Sequence, residues 1–243
     1  MKIKIVYFIF LVPNKWTDIF FEQLNMLKAL DLYNLAEIYI SVISESDEEL
    51  NKLKILLNDN FPKIILINVY NNNLLFEYPG IKTVYEISEN DNDTLILYFH
   101  SKGLTSNQQE IRKLLFNHTI KNYKVYIQEF INNPNLETAG MLPCKHGFVY
   151  YNFFWVRSSY VYNYCSKPET TIEYLKNGRY SWEMWLGYYE YSKKDTVIIW
   201  SPIIKYNGTV DHNDTIYYTS QLLQMPEYDY DNFDNKNILF NIM

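Results

Sequence analysis

Short continuous blocks of apolar residues recur through the first 100 positions, separated by segments whose apolar residues fall at helical spacing. Residues 3–12, Ala36–Ile43, Lys63–Tyr70 and Thr94–Phe99 are such blocks, and each predicts a strand buried on both faces. Between the first two, residues 16–32 place Trp16, Ile19, Phe20, Leu24, Leu27 and Leu30 along one helical face, with Asn14 or Thr17 available as the N-cap. Ser46, followed by Asp47, Glu48 and Glu49, caps a second helix running to about Asn58, with acids in the first turn where the helix dipole favours them. Asn71–Asn73 reads as a loop, and Tyr78–Ser88 as a short third helix. This alternation of strand and helix predicts a parallel sheet with helices on both faces.

The second half is less regular. Residues 107–132 predict one long amphipathic helix ended by Asn133-Pro134. Ala139–Leu142, Tyr151–Val156 and Val197–Trp200 read as strands, and Tyr160–Tyr164 opens a helix. The segment from Gly178 to Leu186 is aromatic, with the carboxylate of Glu183 inside it. From Gln224 the tail is acidic and aromatic, closing on apolar residues 238–243. No linker or repeat divides the chain, so it reads as one domain over residues 1–200 with an extension over 201–243 packing on it.

Composition narrows the function class. Hydrophobic residues make up 48% and charged residues 21% of the 243, an ordinary balance for a globular chain. The net charge of −6 comes without any basic stripe, which argues against nucleic acid as a partner. The 24 tyrosines accompany abundant Asn, Ile and Lys, which reads as codon bias rather than a designed stacking surface. Two cysteines, Cys144 and Cys165, form neither a disulfide framework nor a metal motif and fit a reducing compartment. The apolar opening run is too short to span a bilayer, and Pro13-Asn14-Lys15-Trp16 follows it instead of a small-residue cleavage site. The expectation is a cytoplasmic protein without a membrane span, in the host cytoplasm if the source is viral.

Candidate chemistry sits at the end of the fourth strand. After Leu95–Phe99 come an imidazole, a hydroxyl, an ammonium and a glycine: His100, Ser101, Lys102 and Gly103. Parallel α/β sheets place their sites at the carboxyl ends of such strands. Neither GxGxxG after the first strand nor GxxxxGK[ST] occurs, so the usual dinucleotide and P-loop sites are absent.

Four blocks together resemble a family of bacterial and viral glycosyltransferases of the nucleotide-sugar (GT-A) fold. They are Ile5–Trp16 with Leu32–Tyr39; Leu97-Tyr98-Phe99-His100-Ser101-Lys102-Gly103, similar to the family's "LYLHTKG"; Tyr151-Asn152-Phe153-Phe154-Trp155, similar to "GNFWW", with Tyr151 where the family has glycine; and Arg179 through Glu183 to Trp185. The likeness covers about residues 3–187. It implies a single Rossmann-like α/β domain with a mostly parallel sheet. The implied activity is transfer of a sugar from a nucleotide-sugar, the co-substrate, to a hydroxyl of a glycan or small acceptor.

In that reading Glu183, between two tryptophans, is the catalytic base, because an apolar setting raises a carboxyl pKa toward useful values. His100, Lys102, Asn14 and Trp16 bind the donor, with Lys102 meeting the diphosphate as a point charge. Asn152, Trp155 and Arg179 line the sugar or acceptor site. His100-Ser101-Lys102 stands where such enzymes usually carry Asp-x-Asp, so participation of a divalent cation, Mn²⁺ or Mg²⁺, is left open; Asp211 and His212 are the candidate late ligands. The alternative, motivated by the same missing acids, is a catalytically inactive relative that binds glycan or scaffolds a glycosylation complex.

Overall fold

A seven-stranded sheet in the order β3-β2-β1-β4-β6-β5-β7 forms the centre of the molecule. The computed structural model describes residues 1–104, 108–170, 178, 180–187, 196–204 and 209–224. The strands are β1 (Lys2–Phe10), β2 (Glu37–Ile43), β3 (Ile65–Tyr70), β4 (Thr94–His100), β5 (Thr138–Gly140), β6 (Phe154–Arg157) and β7 (Ile199–Trp200). The first four are mutually parallel; β6 runs antiparallel to both β4 and β5, and β7 returns parallel to β5. The fold is thus a mixed α/β domain with a mostly parallel central sheet, as the alternation of blocks predicts.

Period-two alternation explains the layers. In β1, Ile3, Ile5, Tyr7 and Ile9 point to one core, and Val6 and Phe8 to the other. In β4, Leu95, Leu97 and Phe99 join the first core, and Ile96 and Tyr98 the second. Helices on the first face include α1 (Trp16–Ala29), α2 (Leu32–Leu35), α3 (Asp47–Asn60) and α5 (Gln109–Phe116). The second is covered by α4 (Tyr78–Asn90), α7 (Ser158–Tyr164) and the aromatic residues Trp182 and Trp185 around α8 (Tyr180–Glu183). A strand sandwiched this way needs apolar residues at every position, which is why β1 and β4 read as unbroken runs.

Several local expectations are corrected. Ser46 caps α3, its Oγ accepting from the Glu49 amide at 3.3 Å. Neither Asn14 nor Thr17 caps α1: Lys15 holds the N-cap position, and Asn14 adopts left-handed backbone with φ of 62°. The single long helix is three pieces: α5, a π-helical turn over Asn117–Lys121, and α6 (Tyr123–Asn132). The Asn122 side chain donates to the Asn117 carbonyl at 2.8 Å where the ladder is broken. The strand expected from Tyr151 starts only at Phe154, because Tyr151 and Asn152 both take left-handed backbone, with φ of 67° and 58°.

Helix α4 lies close on the sheet at Gly80. A Cβ there would meet Tyr98 Cε2 at 2.6 Å and Phe8 Cβ at 2.8 Å, so only glycine permits this approach. The contact holds the start of α4 over the carboxyl ends of β1 and β4. At the other end of the chain, α9 (His212–Gln224) places Tyr218 and Leu222 in the first core, packing near α5. Residues 225–243, including the acidic tail, lie outside the described residues.

Candidate functional site

The carboxyl ends of β1 and β4 open into a cavity of about 420 Å³. Among the described residues its lining includes the apolar Phe8, Phe10, Ile43, Leu74 and Phe76 and the polar Glu77, His100, Ser101, Lys102, Gln108 and Glu183. Beyond β4 the chain stays attached to β1, the Ser101 amide donating to the Phe8 carbonyl at 3.0 Å, and then turns at Gly103 with φ of 91°. A side chain at that φ is strained, which accounts for glycine there.

His100 is buried, and its Nε2 lies 3.0 Å from the Tyr151 carbonyl. A carbonyl only accepts, so Nε2 carries the proton and Nδ1 is left as an acceptor. Burial, then the neighbouring Lys102 charge, push the imidazole pKa down to about 3, against weaker upward pulls from Tyr151 and Glu183. His100 is therefore neutral at pH 7. Glu77 Oε1 approaches its Nε2 to 3.7 Å, which is a polar contact and not an ion pair, since the ring is uncharged.

Glu77 ends the loop before α4. Its side chain is 13% exposed, and its Oε2 accepts from the Tyr98 hydroxyl at 3.3 Å and from Asn152 Nδ2. The same Asn152 amide reaches the Trp182 carbonyl at 3.4 Å. Tyr98 is fully buried, and burial first, then Glu77, hold its phenol well above its ordinary pKa, so it stays a donor.

The loop after β4 is also held from beneath. Arg112, buried on α5, donates from Nη1 to the Lys102 carbonyl at 3.1 Å and from Nη2 to Glu22 Oε2 at 3.0 Å. Gln23 donates to the His100 carbonyl at 3.3 Å. The Lys102 ammonium lies 4.9 Å from the centre of the Tyr151 ring. Backbone positions 100 and 102 are thus tied to α1 and α5, and Lys102 is among the residues lining the cavity.

The structure brings His100, Lys102 and Glu183 together on one cavity. Asn152 stands behind its wall, buried and committed to Glu77, and so does not present its amide to a ligand. Trp16 is corrected to a core residue: it is fully buried, donates to Glu49 at 2.5 Å, and packs edge-on against Phe20. Trp155 is likewise core, fully buried, stacked on Tyr126 and donating to the Thr119 carbonyl at 2.9 Å. It faces the opposite side of the sheet from His100, as its register position requires. Asn14 is exposed and is not among the cavity residues.

Asp211 and His212 are exposed at the start of α9, with the His212 ring 5.9 Å from Tyr150, and they do not line the cavity. Among the described residues, no group of three or more His, Cys, Asp or Glu side chains is arranged to hold a metal ion. Arg179 lies outside the described residues.

Sequence reasoning missed Glu77. The available signal was positional: an acid immediately before Tyr78-Pro79-Gly80 ends the β3–α4 connection, which in a parallel sheet lies on the same edge as the end of β4.

No curated protein matches the chain. Among solved structures, S. aureus TarS residues 1–349 superposes with a TM-score of 0.42 at 12% identity, covering 92% of this chain and 64% of that one. This chain therefore spans just under two thirds of that structure's length. A 4-diphosphocytidyl-2C-methyl-D-erythritol synthase superposes with a TM-score of 0.38 at 11% identity, covering 92% and 99%. Among the described residues no helix is long and apolar enough to cross a membrane. One family covers residues 7–170, from β1 past α7, and so takes in Glu77, His100, Lys102 and Asn152 but stops before Glu183. That span is about two thirds of the 243 residues, and the chain belongs to this family, described as a domain of unknown function (DUF8361).

Proposed function

We propose that the protein is a glycosyltransferase that moves a sugar from a nucleotide-sugar donor to a hydroxyl of a glycan or small acceptor. The observation that carries this reading is the cavity at the carboxyl ends of β1 and β4. Among the described residues it combines apolar side chains that can pack on a flat base with an ammonium, Lys102, and a carboxylate, Glu183. The block around His100 that resembles GT-A glycosyltransferases lines that same cavity, and Asn152 of a second block hydrogen-bonds its lining residue Glu77.

In this mechanism Lys102 meets the diphosphate and stabilises the charge that grows on it as the bond to the anomeric carbon breaks. Glu183 takes the proton from the acceptor hydroxyl as its oxygen forms the new bond to that carbon. His100 has a different role from the phosphate contact that its position first implies. Its one N–H is given to Tyr151, and phosphate oxygens only accept at neutral pH, so Nδ1 suits a sugar hydroxyl.

The test is a panel of UDP-, GDP- and dTDP-sugars with hydroxyl acceptors, followed by thermal shift and by release of nucleoside diphosphate. One donor is expected both to raise the melting temperature and to turn over with inversion. No binding by any donor sinks the reading. Binding without turnover on any acceptor replaces it with an inactive glycan-binding or scaffold protein, and a retained anomeric configuration removes the role given to Glu183.

A further inference from the structure

We infer that Phe76 is the residue on which the donor's nucleobase stacks, so that the base subsite lies on the turn between β3 and α4 and not on the loop after β1. The inference rests on the nucleotide-sugar reading above and adds to it the place and the partner of the base.

The turn that carries Phe76 is anchored on both sides. Asn73–Leu75 form one 3₁₀ turn capped by Asn72, whose Oδ1 accepts from the Leu74 amide at 3.0 Å. Leu75 is buried in the second core, and Glu77 is held by Tyr98 and Asn152. Phe76 stands between these anchors with φ of 50° and ψ of −123°. That is the first central conformation of a type II′ turn, which glycine adopts freely and a bulky L residue adopts only under strain. The anchors set the backbone, and glycine would meet their demand. Phenylalanine brings the strain together with a ring, and strain of this kind marks a position where the side chain itself has work to do.

Exposure singles out the same ring. Phe8, Phe10 and Phe76 are the phenylalanines among the described lining residues. Phe8 is buried and Phe10 half-buried, while Phe76 is 37% exposed, so of the three it offers the most surface for a ligand to cover. Leu74, on the same turn, lines the cavity as well and extends that apolar surface. On the loop after β1, by contrast, Trp16 is fully buried in the first core and Asn14 is not among the described cavity residues. A nucleobase has a flat π face, and stacking on an aromatic ring is the way such a face is held without reading its edge.

Lys102 lines the same cavity, so a base on Phe76 and a diphosphate at Lys102 belong to one bound nucleotide. The backbone demand at position 76 and the use of its ring come apart on substitution. Tyrosine keeps the π face, leucine keeps only apolar surface, and glycine accepts the backbone conformation while giving up the ring.

The experiment is isothermal titration of wild type, Phe76→Tyr, Phe76→Leu and Phe76→Gly with UDP, GDP, dTDP and inorganic pyrophosphate. The nucleoside diphosphate that wild type binds best is expected to bind Phe76→Tyr nearly as well, and Phe76→Leu and Phe76→Gly about 10-fold more weakly. Pyrophosphate, which has no base, is expected to bind all four proteins alike. Far-UV circular dichroism melts check that each variant is folded, and the tyrosine and leucine variants carry the test should the glycine variant not fold. A Phe76→Leu protein that binds the nucleoside diphosphate as tightly as wild type overturns the inference. So does an equal loss for pyrophosphate, which would show the substitution acting through the backbone that leads to Glu77. Where pyrophosphate binds too weakly to titrate, equal affinities of the tyrosine and leucine variants overturn it. Each of these results leaves the nucleotide-sugar reading standing. If no nucleoside diphosphate binds wild type, both fall together.

Discussion

Lys102 and Glu183 face one cavity and are assigned different work, so their removal has different signatures. Lys102→Met is expected to weaken diphosphate binding and slow turnover together. Glu183→Gln is expected to slow turnover by about 10²–10⁴-fold with donor affinity retained. Steady-state kinetics alongside diphosphate titration separates the two, and a Glu183→Gln enzyme at near wild-type rate removes the base assignment. Trp16→Phe makes the opposite contrast. It deletes the part-buried 2.5 Å hydrogen bond from the buried indole to Glu49, so the melting temperature falls while diphosphate affinity stays the same.

The buried histidines set the pH response. Burial holds His118 down at about 4 and His100 at about 3, against 6.5 for the free side chain. Below that value the unfolded chain takes up protons that the folded chain refuses, so stability is lost as pH falls from about 6.5 toward the folded values. Asp91, hydrogen-bonded to Lys2 and held at about 2, acts in the same direction further down, losing its contribution as pH falls below 3.8. Urea midpoints between pH 7 and 4 are expected to decline, and His118→Gln to flatten that decline. A pH-independent midpoint would contradict both buried-histidine assignments.

At this scale the chain was legible where a residue's place follows from its neighbours. His100 and Lys102 stand at the end of five apolar residues, so the strand itself locates them. Trp16 and Trp155 were misassigned because an indole looks the same in a sequence whether it stacks on a ligand or on Tyr126; only tertiary packing decides. Glu77 follows Asn71–Phe76, three asparagines and then three apolar residues, which carry no periodicity from which its direction could be read.

At the scale of elements, α4 carries the site because Gly80 lets it lie against Tyr98 and Phe8. Gly80→Ala forces a methyl to within 2.6 Å of the Tyr98 ring, so α4 must lift. The expected cost is about 1–3 kcal/mol by urea unfolding. Unchanged stability would mean that the sheet gives way instead. The strands and helices of the first 100 residues were readable because each obeys one period throughout. The π-helical turn and the delayed start of β6 were not: the first inserts a residue into an otherwise continuous amphipathic pattern, and the second depends on left-handed backbone at Tyr151 and Asn152, which are not glycines.

For the molecule as a whole, α9 extends the first core beyond the residues that resemble any known block. Leu222 is 4% exposed in that core, and Tyr151 Oη lies 3.0 Å from Thr219 Oγ1, linking α9 to the loop that holds His100. Leu222→Ala is expected to cost about 2–5 kcal/mol, measured by chemical denaturation. A value near zero would show α9 to be peripheral. This helix lay in a part of the sequence with no strong periodic signal, and its partners on α5 are about 100 positions away in the chain.

The sheet order also dictates a sequence of events in time. β1 is an interior strand whose two neighbours are β2, reached after one crossover, and β4, reached only after three. One side of the first strand made must therefore wait, unpaired, while some eighty residues of intervening chain find their places, and pairings between such distant segments are slow to form. Until β4 arrives, the open flank of β1 is an apolar strand edge of the kind that captures other chains. Refolding yield is thus expected to fall steeply with protein concentration, even though the finished sheet keeps that strand inside.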